Sequence, residues 1–371
     1  MAMQSPIKLI KTYASFVKIA HTVFALPFAL VGMLAAYAVP TEFVYMLPGL
    51  DGAGMSSSSF DQHVPFLWTM LLLILLCMVG ARSFAMAVNR ILDRKIDAKN
   101  PRTAVRELPS GTMSLTQAWL FAVAMAVLYF GACWILGPVV LWLSPVPIAL
   151  MLLYPLTKRF TWLCHAVLGA SLGLAPIGAW VAVRGLTSIH GKVAGSMTQL
   201  AEILGETPYG EGSPDLGWHS VALGWNAVSE PLPWLLGGAV MLWVAGFDVV
   251  YALQDDEFDR ENKLHSIPAK FGRRGALWIS RVMHVGSAAL FFGFVWLLLN
   301  PAPTGGMDTR QYTQIAEWVW AAPCVMLVGM IYQHSLVRAD DLKRVNLAFF
   351  TVNGIISVVF GAVFLAAYLL G

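Results

Sequence analysis

Apolar residues in this chain run in long unbroken blocks separated by short polar clusters. They neither alternate nor recur only at every third or fourth position. A helix rising 1.5 Å per residue needs about 20 such residues to cross the hydrocarbon layer of a bilayer. Blocks of that size lie at about 14–39, 65–90, 115–137, 139–157, 163–184, 232–254, 275–299, 316–335 and 346–370. Gly137-Pro138 separates the third from the fourth, a pairing that marks a tight turn. The pattern predicts an all-α polytopic membrane protein with nine transmembrane helices, forming one domain over residues 1–371. Two polar stretches, at about 40–64 and 185–231, read as insertions in the loops between spans.

Composition agrees. The chain is 58% hydrophobic and 12% charged, against roughly 25% charged residues in a water-soluble domain. The expected surroundings are therefore the lipid bilayer, and no nucleic-acid partner is expected. The first block is too long for the apolar core of a signal peptide, and Lys18 and His21 interrupt it. It reads as a retained membrane helix. Cys77, Cys133, Cys164 and Cys324 all lie in apolar stretches without metal-ligand spacing, and read as small buried hydrophobes.

Basic residues set the orientation. With the N-terminus inside, only Arg184, Lys192 and Arg310 of the 24 lysines and arginines fall on the outer side. The positive-inside bias then places the N-terminus and the inner loops in the cytoplasm and the C-terminus outside; the expected location is the inner (cytoplasmic) membrane.

The acids carry the chemistry. In "NRILDRKIDAKNPRT", Asn89, Asp93 and Asp97 follow one another at four-residue spacing and share one helical face. In "DVVYALQDDEFD", Asp248, Asp255 and Asp259 share a face likewise, with Asp256 and Glu257 beside them. Like charges at this spacing destabilise a helix by a few tenths of a kcal/mol, so helix formation does not explain them. Both stations end apolar spans on the same side. Two carboxylate stripes facing one cavity suit hard divalent cations, and Mg²⁺ typically combines a few carboxylates with substrate phosphates. The neighbouring Arg and Lys suit the remaining phosphate oxygens.

These stretches, with "RELPSG", "LHSIPAKFG", "YPLTKRFT" and "HTVFALPFAL", resemble the UbiA-type intramembrane prenyltransferases, whose two aspartate-rich patterns are NDxxDxxxD and DxxYxxxDxxxD. The resemblance implies nine helices around a central cavity. It also implies transfer of a polyprenyl group from a polyprenyl diphosphate to an aromatic acceptor, with two Mg²⁺. Position by position, Asn89, Asp93 and Asp97 would hold one Mg²⁺, and Asp255 and Asp259 the other. Arg94, Lys95, Arg102, Lys158 and Arg159 would contact diphosphate. Asp93 and Asp255 count among the catalytic residues, with Asp248 deeper as the candidate base. Arg90 stands where the pattern has its second aspartate, which removes one carboxylate and suggests a phosphate contact instead.

Arg82 lies seven residues before Asn89 on the same face. An arginine inside a span costs about 2.5–3.5 kcal/mol on insertion scales, which makes it functional by default. It reads as the partner of an acceptor carboxylate, assisted by Lys18 or His21. His165 and His284 read as interfacial histidines. The expected acceptor is 4-hydroxybenzoate in quinone biosynthesis, the alternative a naphthoate or futalosine-type menaquinone precursor. An ion-coupled transporter is the rival class. Its sites would sit near the midplane on broken helices, often in repeats of inverted topology, whereas both acid stations here end spans of the same orientation.

Overall fold

The computed structural model describes residues 12–13, 15–16, 25–39, 57–101, 103–190, 225–301 and 315–371. All regular structure among them is helical. The helices are α1 (Leu26–Ala38), α2 (Ser57–Asp97), α3 (Leu115–Ile135), α4 (Pro138–Leu143), α5 (Pro145–Thr157) and α6 (Cys164–His190). They continue with α7 (Pro231–Ala252), α8 (Asp256–Glu261), α9 (Ile267–Leu299), α10 (Ala321–Leu336) and α11 (Asn353–Leu369).

Eight segments among the described residues are long and apolar enough to cross a membrane, α4 and α5 together making one of them. The nine expected spans match these except at the first, where α1 supplies 13 apolar helical residues. Most of the two polar stretches expected as insertions lies outside the described residues.

Local chemistry sets the boundaries. Ser114 caps α3 in a reciprocal box with Gln117, which satisfies two amide groups that the first turn would leave open. Gly137 adopts φ 115° and Pro138 opens α4, so the chain turns sharply between two spans. In the "HSIPAKFG" stretch, His265 and Ser266 precede the helix. Ser266 caps α9, which starts at Ile267 and breaks once at Gly272, φ 70°.

Packing follows from small residues and aromatic rings. α7 packs most extensively on α6 and α9, and α2 on α3. On α6, a Cβ at Gly169 would meet the carbonyl oxygen of Met241, and one at Gly173 that of Gly237. Two glycines four apart let the helix backbones touch, the usual device where lipid offers no hydrophobic drive for association. Phe28 of α1 sits 5.1 Å from Trp243 of α7, 5.8 Å from Phe291 of α9 and 5.1 Å from Phe360 of α11. That cluster ties four helices together beside the cavity described next.

Candidate active site

A cavity of about 430 Å³ opens at one end of the bundle between α2, α3, α5, α6 and α7. Ile74, Met78, Leu136, Val140, Met151 and Leu172 make its apolar part. Polar side chains line the other part, and they come from both acid stations.

The last turns of α2 present Asn89, Asp93 and Asp97 to the cavity. Opposite, α7 gives way to a 3-10 turn over Leu253–Asp255 and then to α8. Asp248, Asp255 and Asp259 line the cavity despite that break. The break separates Asp256 from them: 1% exposed, it accepts from Arg260 at 2.9 Å and from Arg273 at 2.9 Å. Glu257 is exposed and pairs with Arg273 at 2.9 Å. These two acids, expected beside the stripe, belong to a separate ion-pair cluster.

Basic residues bind the stations. Arg106 donates to both Asp97 oxygens at 2.8 Å, and Arg159 to Asp93 at 3.3 Å. Lys158 Nζ lies 3.8 Å from Asp259 Oδ2. Burial works against charge on Lys158, but Asp259, with Asp248 and Asp255, outweighs it and holds the ammonium above its usual pKa. Arg90 lines the cavity but spends Nη1 on Glu107 at 2.8 Å, with its guanidinium 5.6 Å from the centre of the Phe16 ring. Ser15 donates to the same Glu107 at 2.6 Å. Arg94 and Lys95 are exposed outside the cavity lining, and Arg94 donates to its own helix at Ile91 O. Lys18, His21 and Arg102 lie outside the described residues.

Arg82 faces the cavity beyond Asn89. Its Nε is buried without a hydrogen-bond partner, and it forms no ion pair among the described residues. His165 differs from its reading as an interfacial residue: fully buried, it meets Asp248 with 2.7 Å between Nδ1 and Oδ2. His284 is satisfied between His334, at 2.9 Å, and the carbonyl of Trp243, at 3.2 Å. Tyr154 of "YPLTKRFT" and Arg106 of "RELPSG" also line the cavity. Both sit in stretches that the sequence marked, but spacing alone does not say which of their side chains point inward.

Can the carboxylates take magnesium? Their donors are hard oxygens, and Asp259 Oδ2 is buried with no hydrogen-bond partner. Among the described residues no three acidic, histidine or cysteine side chains stand close enough to enclose a cation by themselves. Asp93 and Asp97 already carry arginines. A cation here therefore needs further oxygens. A diphosphate would supply them and draw the same arginines to itself. The residues fit Mg²⁺ brought together with a diphosphate.

The model of the UbiA prenyltransferase family matches residues 25–355. The 4-hydroxybenzoate octaprenyltransferase of Yersinia pseudotuberculosis serotype IB (strain PB1/+) is 29% identical over 246 residues, 64% of this chain and 69% of the relative. An apo UbiA homolog from Aeropyrum pernix K1 superposes with a TM-score of 0.63 at 30% identity, covering 93% of this chain and 97% of that one. A UbiA homolog from Archaeoglobus fulgidus bound to GPP and Mg²⁺ shares the fold at 17% identity, with a TM-score of 0.55 over 96% and 99% of the two chains.

Proposed function

The chain belongs to the UbiA prenyltransferase family, and we propose that it transfers a polyprenyl group from its diphosphate to 4-hydroxybenzoate with the help of two Mg²⁺. The observation that carries this reading is the pair of acid stations lining the polar part of one cavity whose remainder is apolar. The Yersinia relative supports the acceptor, and the GPP and Mg²⁺ bound to the Archaeoglobus homolog support the donor and the metal.

The stations would hold the metal through Asn89, Asp93 and Asp97 on one side and Asp255 and Asp259 on the other. Bound there, Mg²⁺ neutralises charge on the leaving diphosphate. Lys158 and Arg159 lie between the stations and take the phosphate oxygens left over. Arg106 passes from Asp97 to phosphate when the carboxylate is engaged. The prenyl tail lies along Ile74, Met78, Leu136 and Val140, which keep water from the allylic centre as its C–O bond breaks. Arg82, charged and without an ion-pair partner among the described residues, holds the acceptor carboxylate. The ring carbon ortho to the phenol then bonds to the prenyl C1, and Asp248 takes the displaced ring proton. The basic loops put this end of the bundle in the cytoplasm, with the C-terminus outside.

The test is an acceptor comparison. Purified protein in lipid nanodiscs receives a long-chain polyprenyl diphosphate, Mg²⁺ and either labelled 4-hydroxybenzoate or a labelled dihydroxynaphthoate. Prenylated 4-hydroxybenzoate, absent with EDTA, supports the reading. Product from the naphthoate alone replaces the acceptor, and product from neither overturns the assignment.

A further inference from the structure

His165 is the one cavity residue in contact with Asp248 through a side-chain hydrogen bond among the described residues. Its two ring nitrogens face different partners. Nδ1 lies 2.7 Å from Asp248 Oδ2, while Nε2 lies 3.5 Å from the backbone nitrogen of Ile267. Facing a carboxylate at that distance, Nδ1 carries a hydrogen and donates it to Oδ2. The ring is wholly buried.

Nδ1 is thus a fixed donor to one oxygen of Asp248. We propose that His165 is a positioning residue: it anchors Asp248 through Oδ2 and leaves Oδ1 as the oxygen that receives the acceptor's ring proton. This rests on the reading of Asp248 as the base.

The surroundings explain why the anchor is rigid. His165 is the second residue of α6, and Ile267 is the first residue of α9. Two more bonds join the same segments: His265 N–H donates to the carbonyl of Lys158 at 2.7 Å, and Cys164 Sγ to the carbonyl of His265 at 3.7 Å. The turn that carries Lys158 towards the diphosphate is thereby fastened to the strut that aims Asp248. Proton acceptor and leaving-group contact are held in one frame.

The experiment compares H165N, whose amide nitrogen takes the place of Nδ1 and still donates, with H165L, which cannot. Both are assayed in nanodiscs for kcat, for KM towards each substrate, and for Mg²⁺-dependent binding of the diphosphate. H165L is expected to lose about 100-fold in kcat, the lower range of a general base's contribution, while H165N recovers to within about tenfold of the parent. KM for the diphosphate stays within about twofold in both. Adding H165L to D248N should cost nothing further. Equal kcat in H165L and the parent, or equal loss in H165N and H165L with diphosphate binding intact, overturns the inference. If H165L does not bind diphosphate, H165N decides alone: loss of turnover in it with binding intact is contrary to the proposal. A parent protein that makes no product would instead defeat the proposed function.

Discussion

Arg106 Nη1 lies 2.8 Å from both carboxylate oxygens of Asp97, which ends α2 nine residues earlier. The loop after α2 thus folds back to neutralise the last acid of the first station. Without diphosphate the carboxylate is occupied, and a cation has to displace a charge-assisted hydrogen bond worth about 1.5–3 kcal/mol to reach it. Replacing Arg106 by glutamine should therefore lower the Mg²⁺ concentration for half-maximal turnover. It should also cut kcat by about tenfold, through loss of a phosphate contact. A magnesium titration of initial rates reads both effects, and an unchanged magnesium requirement contradicts the exchange.

Asp255 and Asp256 are neighbours with opposite duties. Asp255 lines the cavity, while Asp256 is held by Arg260 and Arg273. D255N should lower turnover at least about 100-fold with little change in the thermal unfolding midpoint. D256N should keep turnover within about threefold and lose about 1–3 kcal/mol of stability, since it strips a buried acceptor from two arginines. Kinetics and melting curves on the same two preparations separate the roles.

Arg82 is the expected acceptor anchor. R82L should raise the acceptor KM about 10- to 100-fold, the worth of one hydrogen bond to a charged group, and leave diphosphate affinity unchanged. A methyl ester of the acceptor should be handled almost equally by parent and variant. A loss confined to diphosphate binding would assign Arg82 to the leaving group.

Arg90 and Glu107 form a pair 5% and 13% exposed, which also holds Ser15 and Phe16. Removing one partner strands the other, at about 3–5 kcal/mol for a buried pair. E107A should accordingly lower the melting point, and R90E/E107R should recover part of it. If the double variant melts no higher than E107A, the pair is not the stabilising contact.

Much of this was legible in the residues. Block lengths predicted the eight membrane-spanning segments from α2 onward, and four-residue spacing placed Asn89, Asp93 and Asp97 on one face because a helix repeats every 3.6 residues. The same rule set Asp256 beside the second stripe, but it does not say that Arg260 and Arg273 take up that carboxylate. It also says nothing of partners on other helices. His165 and Asp248 are 83 positions apart in the chain, and only the packing of α6 on α7 brings them together. Arg94 and Lys95 share the charge of their neighbours, but the helix turns them outward. The first expected span has no such explanation, since much of it lies outside the described residues.

The central claim is that the two acid stations grip one diphosphate through Mg²⁺. Calorimetric binding of a non-reactive polyprenyl thiodiphosphate to the nanodisc-embedded protein, with and without Mg²⁺, tests it directly. The account predicts binding that requires Mg²⁺ and is lost alike in D93N, from one station, and D259N, from the other. Magnesium-independent binding, or binding that survives either substitution unchanged, would contradict it.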